Sequence, residues 1–260
     1  MSDETSAFPG PAKALSALLR RWVGAVVDLV YPPHCAGCGK ATARHQALCP
    51  SCWASVRFIE RPYCEALGMP FKRDEGGGML SPAALAHPPV FDRLRAVTLH
   101  EGVARHLVHG LKYRDRTDLA PMMAAWMLRA SDGYGHVCDV VVPVPLHARR
   151  LLLRRFNQSA ELARALARVA GKPLLASALQ RIKPTRRQVG LSARRRAANV
   201  RGAFRVNKRC LDDVRGKHIL LIDDVYTTGA TVSSAARALK RAGAAEVTVL
   251  TFAMALGGPI

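Results

Sequence analysis

Between Ile219 and Thr231 the chain reads ILLIDDVYTTGAT: an apolar run ends at two adjacent carboxylates, followed by a loop of small hydroxyl residues with one glycine. The run suits a strand buried in a parallel sheet. Two acids at its end need a partner, because burying a carboxylate without one is costly. The loop points to that partner. Backbone N–H groups of Thr227, Thr228, Gly229, Ala230 and Thr231, together with the threonine hydroxyls and the start of the next helix, can surround a phosphate monoester. Gly229 lets the backbone come close. Asp223 and Asp224 can accept hydrogen bonds from vicinal sugar hydroxyls, or hold Mg²⁺ directly or through water.

The chain from Val90 onward alternates between strand-like and helix-like pieces. Leu94–Leu99, Val140–Val144, His218–Ile222 and Glu246–Phe252 read as strands, while residues 102–112, 118–130, 158–170 and 231–242 read as helices, the last closed by Gly243. This alternation predicts an α/β fold with a mostly parallel sheet flanked by helices. No internal repeat is read. At the other end, Leu15, Leu18, Leu19, Trp22, Val23, Val26 and Val30 recur at helical spacing and predict one amphipathic helix within residues 1–31. It carries Arg20, Arg21 and Asp28 and falls short of a membrane span, so no transmembrane segment is expected.

Residues 32–70 are rich in Cys and Pro and lack a periodic apolar pattern, so something other than a hydrophobic core must hold them. Cys35 and Cys38 form one CxxC pair, Cys49 and Cys52 another, and four thiolates so spaced suit a tetrahedral structural zinc. With four protein ligands the ion has no open position for catalysis. His34 and His45 stand nearby as surface residues. Where a CxxC partner of Cys64 would fall the chain has Leu67, so Cys64 reads as a buried thiol, as do Cys138 and Cys210. The Gly- and Pro-rich stretch 71–89 reads as a linker, and residues 90–260 as the second domain. Asp3 and Glu4 stand where an export signal would be basic, which predicts a reducing cytoplasm and no disulfides.

The 39 Lys and Arg against 19 Asp and Glu give a net charge of +20, which calls for a polyanionic partner. Between Arg181 and Lys217 there are thirteen basic residues against two acidic ones. Such a segment repels itself unless an anion binds. Trp53, Phe58, Tyr63 and Phe71 are candidate stacking platforms for bases, or a small core for the cysteine module.

The string at 219–231 looks like the phosphoribosyl pyrophosphate (PRPP) motif of type I phosphoribosyltransferases, and the chain as a whole resembles the ComF family. VPVPLHARRLLLRRFNQSAELA, residues 142–163, is similar to that family's pyrophosphate-side loop and helix, and TRRQVGLSARRRAANVRGAF, residues 185–204, to its spaced basic pattern. The paired CxxC knuckles complete the match. The resemblance implies a zinc ribbon followed by a phosphoribosyltransferase-like domain. In it Asp223 and Asp224 bind ribose and metal, Thr227 to Thr231 bind the 5-phosphate, and His147, Arg150 and Arg154 lie near pyrophosphate. Arg181, Gln188, Arg196 and Asn199 belong to a basic flap. It also implies PRPP with Mg²⁺ as ligand, single-stranded DNA as partner during natural transformation, and a DNA-uptake helicase or channel at the inner face of the membrane. The alternative it implies is an active Mg²⁺-dependent phosphoribosyltransferase that moves ribose 5-phosphate to an acceptor.

Overall fold

The computed structural model describes residues 31–73, 78–146, 156–183 and 202–256. The helix expected near residues 12–30 lies outside them, as do His147, Arg150, Arg154, Gln188, Arg196 and Asn199. Two units are distinguished, residues 1–49 and 50–260.

Contrary to the expectation of a chain without repeats, residues 33–54 and the described residues of 62–86 follow one backbone pattern twice. In the first copy the Cys35 amide donates to the Lys40 carbonyl (2.7 Å), Gly39 to Cys35 (2.9 Å), Thr42 to Pro33 (2.9 Å) and Ala36 to Ala47 (2.9 Å). In the second, Cys64 donates to Met69 (2.8 Å), Gly68 to Cys64 (2.7 Å), Phe71 to Pro62 (2.9 Å) and Glu65 to Met79 (3.0 Å). Gly39 and Gly68 close the equivalent turns with φ of 75° and 59°. Isolated bridges join His34 to Ala41 and Tyr63 to Pro70. Each copy ends in a one-turn helix, α1 (Pro50–Ala54) and α2 (Pro82–Ala86), and each helix has proline at its first position. The repeat is faintly visible in sequence, as Pro-x-Cys-x-x-x-Gly at 33–39 and 62–68 and as Leu-Cys-Pro and Leu-Ser-Pro at 48–50 and 80–82. The helix at 82–86 falls inside the stretch read as a linker.

The second unit is built on a parallel sheet of β1 (Arg93–Leu99), β2 (Val140–Pro143), β5 (His218–Tyr226) and β6 (Glu246–Met254), while β3 (Leu179–Arg181) and β4 (Phe204–Val206) pair antiparallel as a separate hairpin. The strand order is β1-β6-β5-β2 and every neighbour in it is parallel. Apolar residues fill the interior of β5 and all but the first residue of β6 is buried, as a sheet covered on both faces requires. Residues 57–59 add to the free edge of β1, with Ile59 N–H on the Val97 carbonyl at 2.9 Å.

Crossovers between parallel strands need helices to cover the sheet. These are α3 (Gly102–Tyr113), α4 (Ala120–Ala130), α5 (Gln158–Ala170) and α6 (Ala230–Arg241). Val232, Ala235, Ala236 and Leu239 of α6 pack on Ile219, Leu221, Val247 and Val249, in one core that also holds Cys64, Leu67 and Ala84 of the second ribbon copy. Gly68 lets that copy sit against β1, since a Cβ there would lie 2.5 Å from the Leu94 carbonyl oxygen. The α4 and α5 helices pack on each other and on the sheet. No helix among the described residues is long and apolar enough to cross a membrane.

The aromatics named as base platforms pack on neighbours, while Trp53 keeps 45% of its surface exposed. Trp53, Phe58 and Trp126 meet one another at centroid distances of 5.0 to 5.6 Å, and Trp126 stacks on Phe252. Arg61 and Arg95 cover Tyr63, and Phe71 packs against the core.

Candidate functional site

In a parallel sheet the carboxyl ends of the strands open onto a crevice where ligands bind. Asp223 and Asp224 stand at that end of β5, on a strand held by neighbours on both sides. Asp223 accepts from Ser159 Oγ at 2.9 Å and from the Asp224 amide at 3.0 Å. Ser159 is fixed because Asn157 caps α5, accepting from the Ser159 amide and donating to the Val144 carbonyl. Asp224 pairs with Lys112 Nζ of α3 at 2.8 Å. Thus α3 and α5, which lie far apart in sequence, each supply one group to the acid pair.

Burial and the neighbouring Asp224 charge push the Asp223 carboxyl up to about 7, against the pull of Ser159, Lys112 and the Asp224 amide. An Asp whose pKa is higher in the folded than in the unfolded chain gives stability that is complete at low pH and lost as pH rises toward the folded value. The ligand-free protein should therefore lose stability between about pH 4 and 7. Asp223→Asn removes that slope. It should be more stable than wild type at pH 8 by on the order of 4 kcal/mol, with the difference vanishing below pH 4 in paired thermal melts.

Beyond the acids, Thr227 and Thr228 are exposed and Gly229 takes φ 72°. A Cβ on Gly229 would lie 2.6 Å from the Tyr226 hydroxyl, so only glycine fits this turn without displacing the ring. The α6 helix starts at Ala230 with no side-chain cap, which leaves its first-turn amides and positive dipole end directed at the loop. Thr227 to Thr231 thus span the glycine turn and the first residues of α6.

Three residues not singled out in sequence belong to this end of the sheet: Lys112, Ser159 and His100. His100 follows β1, and its amide donates to the Met254 carbonyl at 2.7 Å. Its Nδ1 is buried without a hydrogen-bond partner among the described residues. Burial, then the charge of Lys112, hold its pKa below the ordinary histidine value. It lines an open cleft of about 350 Å³ with Arg57, Leu99, Glu101, Met254 and Leu256. The outer face of α3 carries a second groove, lined among the described residues by Gly102, Arg105, His106, His109, Tyr113 and Arg114. Of the residues expected in the basic flap, Arg181 ends β3 with its guanidinium 5.3 Å from the Phe204 ring.

The four cysteines expected to hold zinc come together. Their sulfurs all lie within 4.8 Å of one another, and Cys38 and Cys49 Sγ are 3.7 Å apart. A tetrahedron with Zn–S of about 2.3 Å has edges of about 3.8 Å, so this donor set fits a structural zinc. Burial raises the Cys35 thiol, but the amides of Cys49, Cys38 and Gly37 outweigh it and bring the pKa below the usual thiol value.

Comparison with known proteins finds two matching domains. Residues 26–83 match a double zinc ribbon domain and residues 157–258 a phosphoribosyl transferase domain. The DNA utilization protein YhgH of Salmonella typhimurium is 34% identical over 221 residues, covering 83% of this chain and 87% of that protein. The chain belongs to the ComF family. Its YhgH relative in Escherichia coli K12 is 33% identical over the same share, and the competence protein ComFC of Bacillus subtilis is 36% identical over 118 residues, 43% of each chain. The acid pair, Ser159 and the Gly229 turn of this ComF chain all fall inside the matched phosphoribosyl transferase segment, whereas Lys112 and His100 precede it.

Proposed function

We propose that this ComF protein binds PRPP with Mg²⁺ at the end of β5 and handles single-stranded DNA during natural transformation. The observation that carries the reading is the acid pair, held by Ser159 and Lys112, directly before a glycine turn that aims an uncapped helix start at the same crevice. Asp223 and Asp224 take the ribose hydroxyls and Mg²⁺, Thr227 to Thr231 take the 5-phosphate, and Arg181 with the flap residues serves the pyrophosphate. Arginine suits that task because its planar fork binds two oxygens at once. The competence-protein relative and the net charge of +20 support the DNA half of the reading. So does α3, which sends Lys112 to the acid pair while its outer face displays Arg105, His106, His109, Arg114 and the exposed Tyr113.

Titration calorimetry of PRPP with Mg²⁺ tests the ligand. Loss of two charged contacts at Asp223→Asn/Asp224→Asn should weaken binding by about a hundredfold or more. An unchanged affinity would sink the assignment. Single-stranded DNA binding should fall steeply between low and moderate salt, and binding that ignores salt would refute the DNA half.

A second reading, transfer of ribose 5-phosphate from PRPP to an acceptor, is favoured by one observation. Burial and the Asp224 charge push Asp223 up to about 7, near the working range of a general acid or base. Pyrophosphate release across a panel of bases and amines separates the two readings.

A further inference from the structure

A double zinc ribbon implies a metal in each copy of the repeat, and each ligand position of the first copy has a counterpart in the second. The hydrogen-bond pattern sets the correspondence. Cys64 takes the place of Cys35, as both donate to a carbonyl five residues on and accept from the glycine four residues on. In the first copy the Cys49 amide donates to Cys35 Sγ at 3.2 Å, and in the second the Ser81 amide donates to Cys64 Sγ at 3.2 Å. Ser81 therefore occupies the place of Cys49. The remaining pair follows from the chain: Leu67 stands three residues after Cys64, as Cys38 does after Cys35, and Ala84 lies in the first turn of α2 where Cys52 lies in α1.

The donor set of the second copy is thus Cys64, Leu67, Ser81 and Ala84. Two of these side chains have no donor atom, and a lone thiol with one hydroxyl cannot complete a tetrahedral zinc. The residues present do not fit the metal. Their burial says what replaced it: Cys64 is 0%, Ala84 3% and Leu67 8% exposed, and all three belong to the apolar core shared with Phe91 and Leu94. The residual thiol keeps the role of sulfur in a knuckle, accepting from the amides of Leu67 (3.4 Å) and Ser81 (3.2 Å).

We propose that residues 62–86 are a metal-free zinc-ribbon lobe in which an apolar plug fills the ion's position, so the chain holds one zinc where a double ribbon implies two. Because its backbone is retained, the site is latent. Thiols placed at the three lost positions restore four ligands with the spacing of the first lobe.

The test is zinc content per chain on purified full-length protein, by elemental analysis after passage over a mild chelating resin. Wild type should hold one equivalent, and Cys64→Ala should stay folded and still hold one. Two equivalents in wild type, or loss of an equivalent in Cys64→Ala, would overturn the proposal. The triple variant Leu67→Cys/Ser81→Cys/Ala84→Cys should hold two. A folded triple variant with one would refute the equivalence of the positions. Should that variant fail to fold, the wild-type and Cys64→Ala counts decide alone.

Discussion

Stripping the zinc, or replacing Cys52 with serine, is expected to melt the first ribbon lobe and leave the second lobe and the sheet folded. Within residues 33–54 the only buried apolar side chains are Cys35, Ala36, Cys49 and Cys52. Three of the four ligands to the ion are therefore also three of the four buried residues. Structural zinc contributes about 10 to 16 kcal/mol of apparent binding free energy in small fingers, whereas burying Ala36 contributes about 1 kcal/mol or less. Trp53 of α1 packs on Phe58 and Trp126 beyond the lobe, a contact that does not reach the knuckle at residues 33–49. The second lobe differs because Leu67 and Ala84 bury in a core that runs on into β1 and α6. Hydrogen exchange is the decisive measurement. After chelation, the amides of Cys35, Ala36 and Thr42 should exchange a thousandfold faster or more, the loss of about 4 kcal/mol of local protection. The equivalent amides of Cys64, Glu65 and Phe71 should keep theirs. Equal loss in both lobes would show that the second also depends on metal.

The two lobes also show where sequence reading succeeds and where it stops. Two CxxC pairs identify a metal site by ligand chemistry alone, and the cysteines do meet as that spacing requires. The second lobe uses the same backbone without the ligands. A search keyed to cysteine finds Cys64 and nothing beside it, and the remaining signature of Pro, Gly and Leu-x-Pro is too common to stand out.

The acid pair followed the same rule. ILLIDDVYTTGAT carries its strand, turn and helix start locally, so the end of β5 was legible. Its partners were not. Ser159 lies 64 residues before Asp223, and Lys112 comes from an amphipathic helix whose pattern places it merely beside the buried stripe. One available signal for His100 was its place immediately after a strand, at the sheet end where α/β proteins put their sites.

Arg95→Ala is expected to cost about 3 to 5 kcal/mol, a larger loss than any other single change of a charged residue in the second unit. Arg95 sits inside β1 at 1% exposure, in an apolar run whose other arginine, Arg93, stands at its less buried start. The fold brings its partners to it. One guanidinium nitrogen donates to the carbonyls of Glu65 and Leu94, both at 2.9 Å. The other reaches Glu65 Oε2 at 2.6 Å and Asp132 Oδ2 at 3.4 Å, and the group lies over Tyr63 and Tyr134. It thus joins the second ribbon lobe to the sheet and to the turn after α4. Truncation leaves two buried carbonyls short of a donor, opens a cavity between the tyrosines, and leaves Arg61 to hold both carboxylates from the exposed side.

The pH dependence distinguishes lost charge pairing from lost volume. Burial raises Glu65 and Asp132, but the arginines outweigh it and hold both below the ordinary carboxylate range. A carboxyl lowered on folding gives stability that is complete above its unfolded pKa and lost as pH falls through the folded one. Wild type should therefore lose part of this contribution below about pH 4, and the variant should lose less because it has less of it. Arg95→Met keeps most of the volume without the charge. If denaturant melts at pH 7 show it as stable as wild type, packing rather than the ion pairs holds the lobe to the sheet; a loss close to that of alanine assigns the effect to the guanidinium.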